Sequence, residues 1–264
     1  STINGGVLSV VTLADGGNNS GIGSASSAAD NLILAGGVLR YTGGTTSMNR
    51  GFTLRDATSS GIDVEQAGSI LTLAGTGAGS DGALVKSGSG TLVLAGNNAY
   101  SGSTTISGGI LQIGNGAASG SPGTGAIINN SVLVFDRSDM AYQQAAPILG
   151  TGSVIMGGSG TVTLSGSNTY AGITFVEAGT LKLSGPVLPP TTTVRIESGA
   201  DLTLDYDGVN DIGYLFFNGE SQARGTWGTT GSGAQFTNNT FLSDRGILSV
   251  RSTFFRDGIM LLMR

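Results

Sequence analysis

The chain has 264 residues, with 47 glycines, no cysteine, no histidine and a formal net charge of −5 at pH 7. Absent cysteine excludes a disulfide framework, zinc ribbons and thiol catalysis, and absent histidine excludes a Ser-His-Asp triad. The acidic balance offers no basic stripe for phosphates, so we expect no nucleic-acid binding. Since no apolar run reaches about 18 residues, we predict that the chain is not membrane-spanning.

Short runs of Val, Leu, Ile and Thr alternate with glycine along the chain, beginning with Asn31–Tyr41 (NLILAGGVLRY) and Gly68–Gly75 (GSILTLAG). This pattern is typical of many short strands joined by tight turns. The glycines follow no G-X-Y period, which excludes collagen.

Two segments in the middle of the chain align without gaps. They are Gly88–Gly114 (GSGTLVLAGNNAYSGSTTISGGILQIG) and Gly158–Ser184 (GSGTVTLSGSNTYAGITFVEAGTLKLS). Each copy is predicted to form three short strands, which in the first copy are Thr91–Leu94, Thr104–Ser107 and Ile110–Ile113. Alternation places Leu92 and Leu94 on one face of the first strand, with Thr91 and Val93 on the other.

Looser versions of the same phrase follow at Ser131–Phe135, Ala200–Tyr206 and Gly246–Val250. Strands this short cannot bury an apolar face alone, but parallel coils stacked about 4.8 Å apart would share one core. At 20–25 residues per coil, we expect about ten to twelve coils and a rod about 50 Å long. Tyr100 and Tyr170 fall at equivalent corners, where we expect them to stack along the rod.

Both copies resemble the autotransporter-associated β-strand repeat, also called the passenger-associated transport repeat, in the phrase G-x-G-T-L-x-L-x-G-x-N-x-Y-x-G. The segment Ala200–Val250 resembles the closing module of secreted proteins that carry such repeats. The resemblance implies an all-β fold, a right-handed parallel β-helix (β-solenoid) with a C-terminal capping module. It also implies a bacterial, secreted or cell-surface protein, and no particular catalytic activity.

The predicted organisation has three parts. Residues 1–190 are expected to form the solenoid repeats, residues 191–250 the closing module, and residues 251–264 an apolar tail. The tail lies beyond the repeat pattern and packs either on its own rod or on a neighbouring subunit. The second alternative predicts a homo-oligomer or head-to-tail filament, with self-association through Phe254, Phe255, Ile259, Met260, Leu261 and Leu262.

An acidic cluster near the C-terminus is a candidate calcium site, because hard oxygen ligands suit Ca²⁺. Its residues are Asp205, Asp207, Asn210 and Asp211. The alternative is a solvated strand face that runs into an Asp/Asn/Gly turn. No other cofactor is expected.

A second charged group, Asp136, Arg137 and Asp139, has the composition that a polysaccharide lyase would use: carboxylates for Ca²⁺ and a cationic base. The alternative is a turn that links the repeats. The chain is not expected to be an enzyme.

Three functions follow, in order of preference. The first is an extracellular structural β-solenoid that self-associates as a scaffold or fibre subunit at the cell surface. The second is an adhesin or passenger rod that binds glycans or surfaces. The third is a β-helix polysaccharide lyase.

Overall fold

A computed structural model describes residues 1–253 and shows an all-β, parallel β-solenoid of about nine turns. The predicted fold class is therefore confirmed, with fewer turns than the ten to twelve expected. The difference arises at both ends. A long loop separates the paired residues Val7 and Val38 in the first coil, and the last strands form a separate sheet. In the described range, the helical structure is one 3₁₀ turn, Ala29–Asn31.

The strands of the first half, in chain order, are β1 Thr2–Ile3, β2 Val7–Val10, β3 Ile33–Leu34, β4 Val38–Tyr41, β5 Thr46–Met48, β6 Phe52–Leu54, β7 Ser59–Val64, β8 Ile70–Leu73, β9 Gly77–Ala78, β10 Ala83–Ser87, β11 Thr91–Leu94, β12 Thr104–Ile106, β13 Ile110–Ala117, β14 Ile127–Asn129 and β15 Val132–Arg137. Those of the second half are β16 Tyr142–Gln144, β17 Ile148–Leu149, β18 Ser153–Met156, β19 Thr161–Leu164, β20 Thr174–Val176, β21 Thr180–Leu183, β22 Thr193–Ile196, β23 Asp201–Leu204, β24 Val209–Ile212, β25 Tyr214–Phe217, β26 Glu220–Ser221, β27 Gly225–Gly228, β28 Phe236–Thr237, β29 Leu242–Ser243 and β30 Ile247–Val250.

Four sheets run along the rod. A ten-stranded sheet has the order β26-β25-β22-β20-β18-β15-β13-β11-β8-β5, and a seven-stranded sheet the order β17-β14-β12-β10-β7-β4-β2. The four-stranded sheet β1-β3-β6-β9 and the five-stranded sheet β16-β19-β21-β23-β29 lie in the early and late coils, respectively. Pairing along these sheets is parallel except at β25–β26, so each strand stacks on its counterpart in the next coil.

The core is a column of aliphatic side chains in register. Leu92 of β11 pairs with Leu111 of β13, and Leu111 pairs with Leu133 of β15; all three are fully buried. Each such side chain contributes about 1.5–3 kcal/mol relative to an exposed position. The short strands are stable because neighbouring coils complete this column, and no single coil could bury it alone.

One repeated glycine is required by the distance between coils. Gly109 and Gly179, at the same position in the two copies, have φ of +64° and +62°. A Cβ on either would lie 2.3–2.4 Å from a carbonyl oxygen of the preceding coil. Both the backbone conformation and the contact therefore exclude a larger residue.

At the C-terminal end, β27 pairs with β30 antiparallel, and β24, β30, β27 and β28 form a four-stranded closing sheet. Aromatic side chains fill the space beneath it: the Phe217 ring stacks on Phe241 at 4.7 Å and meets Trp227 at 5.7 Å between centroids. The ten-stranded sheet continues past residue 190 as far as β26. A domain boundary at residue 190 stays a prediction.

Candidate interaction surface

The asparagine of the repeat phrase ties adjacent coils together at a buried corner. The Asn98 side chain accepts a hydrogen bond from the Gly77 amide and donates one to the Ser121 carbonyl at 2.6 Å. Asn168 repeats this arrangement: it accepts from the Ile148 amide at 2.9 Å and donates to the Val187 carbonyl at 3.1 Å. These side chains satisfy buried backbone groups, so the repeated asparagine specifies the fold.

The repeat tyrosines are also interior. Tyr100 and Tyr170 are fully buried, and their hydroxyls hydrogen-bond Thr104 at 2.9 Å and Thr174 at 2.6 Å. Burial raises the pKa of both hydroxyls. The predicted stacking along the rod is wrong, because Tyr100 precedes a strand of the seven-stranded sheet whereas Tyr170 precedes one of the ten-stranded sheet. Neither ring is available to a ligand.

The candidate calcium ligands each face a different partner. Asp205 pairs with Lys182 at 2.6 Å, Asp207 with Arg245 at 3.0 Å, and Asp211 with Arg251 at 2.5 Å. Hydrogen bonds from Lys182 and Arg251 lower the pKa of the Asp205 and Asp211 carboxyls.

Asn210, the fourth candidate ligand, is buried and hydrogen-bonds both backbone groups of Leu188, at 2.9 and 3.0 Å. Across residues 1–253, no three His, Cys, Asp or Glu side chains come together in a group that could hold a metal. Each aspartate of the candidate site therefore forms its own ion pair, and Asn210 bonds the backbone. Calcium binding stays a prediction.

Arg137, between the two aspartates of the lyase-like group, is a buried structural residue. Its guanidinium binds Asp139 at 2.8 and 3.0 Å, donates to the carbonyls of Ala118 and Gly120, and lies 4.3 Å from the Tyr142 ring centroid. The hydrogen bond from Arg137 lowers the pKa of the Asp139 carboxyl. With these contacts the arginine fixes a loop between coils. The choice between a linking turn and a lyase site stays a prediction.

The outer side of the five-stranded sheet is hydrophilic. We call the following residues the polar face: Gln143, Thr161, Thr163, Thr180, Lys182, Asp201, Thr203 and Ser243. Several bond one another across coils, as when Ser243 donates to Asp201 at 2.6 Å. Beside it, a half-open groove of about 220 Å³ is lined by Asn98, Ser121, Thr124, Tyr142, Gln143 and Gln144.

The outer side of the ten-stranded sheet is different. Its side chains from β8 to β20 are mainly aliphatic or aromatic, and we call the accessible ones the apolar face: Ile70, Ile110, Val132, Val134, Ile155, Ile173 and Phe175. Ile70 is 38% exposed, and the others are half-buried by their neighbours in the sheet. Sequence reasoning missed this face, although runs such as Ser131–Phe135 are apolar on both alternating sides.

The self-association residues Phe254, Phe255, Ile259, Met260, Leu261 and Leu262 lie outside the described residues. Within residues 1–253, no helix has the length and apolar character needed to cross a bilayer.

Comparison with known proteins finds a family whose model matches the two copies. The passenger-associated-transport-repeat family matches residues 84–113 and 154–183. A curated relative, the adhesin BmaC autotransporter of Brucella suis biovar 1 (strain 1330), is 40% identical over 173 residues, which are 65% of this chain and 5% of that protein. The chain therefore spans a small part of the relative it matches. No solved structure matches the chain.

Proposed function

Because the chain carries two passenger-associated transport repeats within one parallel β-solenoid, we propose that it is a segment of a secreted or surface-displayed adhesin-like passenger. In this role it is a non-catalytic rod that holds a binding surface outside the cell. The observation that carries the proposal is that strands of both repeats join one ten-stranded sheet, which makes the repeats parts of a single stiff body.

The polar face is the surface that we propose for adhesion. Its threonine hydroxyls, the Lys182 ammonium and the Gln143 amide recur at the coil spacing, about 4.8 Å, and lie on a rigid sheet. Such a preorganised array of donors and acceptors loses little side-chain freedom on binding. The adjacent groove adds an aromatic ring, Tyr142, and amides, a combination suited to a sugar ring.

The test uses beads coated with the full chain, applied to cultured epithelial cells. We expect saturable attachment that soluble chain inhibits. The double variant Thr163→Val and Lys182→Gln gives the polar face the residues that the first copy has at the matching positions, Val93 and Gln112. We expect this variant to reduce attachment about tenfold. Ile155→Ser, on the apolar face, is the matched control and should attach normally.

A glycan array with the same proteins identifies the ligand class. Binding of defined oligosaccharides that Tyr142→Ala abolishes would support sugar recognition in the groove. Attachment to cells that persists after glycosidase treatment would move the ligand to a protein surface. Attachment no better than that of uncoated beads would contradict the adhesive role.

A further inference from the structure

Outer residues of the two repeats change with the sheet that each strand joins. Strands β11 and β13 of the first copy lie in the ten-stranded sheet, and there the outer positions hold Val93 and Ile110. The matching strands of the second copy, β19 and β21, lie in the five-stranded sheet and hold Thr163 and Thr180 instead.

The middle strand of each copy, β12 in the first and β20 in the second, shows the reverse exchange. In the first copy β12 belongs to the seven-stranded sheet and carries Thr105. In the second copy β20 joins the ten-stranded sheet and carries Phe175 at the same repeat position. At these three positions the apolar outer residue follows the ten-stranded sheet and not the repeat position, whereas Thr91 and Gln112 match polar residues of the five-stranded sheet. The buried aliphatic column is kept in both copies. A repeat that only built a solenoid would not need this difference.

The borders of the apolar face differ in charge. Along the C-terminal ends of its strands stand Asp136 and Glu177, with Glu197 one coil beyond, whereas the other residues at this border are neutral: Ala74, Ala95, Gly114 and Gly157. The Glu197 N–H donates to Val176 O at 3.0 Å, and in the same coil Arg195 pairs with Phe175. Along the N-terminal ends the corresponding residues are neutral: Gly68, Ser89, Gly108, Asn130, Thr151 and Ala171. Between the borders, the first two outer positions of β8, β11, β13, β15, β18 and β20 carry no charge.

We propose that the apolar face binds the same face of a second copy of this chain, with the two rods side by side and parallel. A flat sheet with a spacing of about 4.8 Å is matched in repeat by another copy of itself, and stacked sheets pack about 10 Å apart. This pairing goes beyond the adhesive role and does not depend on it.

The charged border selects the parallel arrangement. A two-fold axis along the rod places the acidic border of one copy opposite the neutral border of the other. A two-fold axis across the rod would place both C-terminal borders on the same side. Because β15 lies next to the middle of the six strands, Asp136 of one copy would then lie close to Asp136 of the other, and like charges in contact oppose association. In the parallel pair, with its two-fold axis along the rod, each strand of one copy faces the same strand of the other.

The buried area sets the strength of the pair. Six strands spaced about 4.8 Å apart, each with two outer residues, cover about 400 Å² of each copy, so the pair would bury about 800 Å² in total. This area lies at the low end of protein interfaces, so we expect a reversible dimer with Kd on the order of 100 μM. Display of many chains on one surface would raise the effective concentration towards that range.

Sedimentation velocity of the full chain between about 5 and 500 μM tests the proposal. We expect a monomer–dimer equilibrium that Phe175→Lys weakens at least about tenfold, because it buries an unpaired charge. Thr163→Lys, a matched change on the polar face, should dimerise as the parent does. A parent that stays monomeric throughout, or equal dimerisation of the two variants, would overturn the proposal.

Cysteine crosslinking tests the arrangement, since the chain has no native cysteine. With Thr72→Cys at one end of the apolar face, a short thiol crosslinker should join two copies in the parallel pair. In an antiparallel pair this cysteine would crosslink to Phe175→Cys and not to itself, and that result would contradict the parallel arrangement. The bead assay is independent, so failure of either proposal leaves the other testable.

Discussion

The two repeat copies share a buried aliphatic column, but an interior position just before each copy differs in chemistry. Lys86 stands there before the first copy and Met156 before the second, and both side chains are fully buried. The Lys86 ammonium donates to the carbonyls of Ser87, Gly88 and Gly108 at 2.7–3.0 Å. The comparison teaches that the buried column accepts a long, flexible side chain that is either charged or apolar. The charged one is tolerated because backbone carbonyls at the corner of the coil accept hydrogen bonds from its ammonium group.

The largest expected effect tests whether the shared core positions are equivalent. Leu111→Ala and Leu181→Ala should each lower the free energy of unfolding by about 2–5 kcal/mol, because both side chains are fully buried. Urea unfolding followed by circular dichroism measures this loss. A loss in one copy and none in the other would show that the repeats do not share one core.

The corner asparagines should give the next largest effect. Asn98→Ala leaves the Gly77 amide without its partner, and Asn168→Ala does the same to the Ile148 amide. We expect each change to destabilise the chain by about 1–3 kcal/mol. Asn97→Ala is the control beside this corner, since Asn97 accepts one bond from Gly120 and is exposed; similar losses from Asn97 and Asn98 would contradict the corner role.

Lys86→Met gives this interior position the residue that stands before the second copy and should change the pH dependence of stability. Burial lowers the pKa of Lys86 from 10.5 to about 8, opposed by the nearby Asp63 carboxylate. Between these values the unfolded chain binds more protons, so stability should rise with pH by up to about 1.4 kcal/mol per unit.

Urea midpoints at pH 7.5, 8.25 and 9 measure this slope. The series stops at pH 9 because tyrosines of the unfolded chain begin to ionise at about pH 10, whereas burial raises the pKa of Tyr100 and Tyr170 in the folded chain. The parent should gain stability over the range, whereas Lys86→Met should lose the part of the slope that Lys86 provides. An identical slope in both proteins would mean that the ammonium keeps its ordinary pKa in the folded chain.

The smallest expected effect concerns the buried tyrosine hydroxyls. Tyr100→Phe and Tyr170→Phe remove one hydrogen bond each, to Thr104 and Thr174. Each threonine keeps another partner, Pro122 O and Thr192 Oγ1 respectively. We expect losses of about 0.5–1.5 kcal/mol, equal in the two copies, measured by thermal unfolding. A larger loss for Tyr170 would reveal cooperation within the Thr174–Thr192 chain of hydroxyls.

Local pattern predicted much of the fold. The strand Thr91–Leu94 is confirmed, and the other two strands of the first copy differ by a few residues at their ends. Alternation predicts that Val93 lies on the opposite side of the strand from the buried Leu92, facing out of the coil. Its side chain is nevertheless only 3% exposed. Alternation assigns a side chain to the inside or the outside of a coil, but neighbouring side chains decide how much of it water reaches.

Which sheet a strand joins could not be predicted from the phrase. The copies have the same spacing, yet they enter the solenoid at different sheets, because the chain between them adds β14 to β18 and the loop that Arg137 holds. Position around the rod depends on the sum of all intervening turns. For this reason the apolar face and the polar face, each assembled from several coils, emerge only in three dimensions.

The separation between paired residues has a consequence for how the chain folds. Thr91 pairs with Ile110, Val154 with Thr174 and Thr180 with Asp201, so backbone contacts link residues about one coil apart. Adding coils lengthens the rod without lengthening the loops that must close, and loop closure is a main determinant of folding speed. Each new coil can therefore be laid on a finished one, so that structure can grow coil by coil from one end at a rate that does not depend on the total length of the chain.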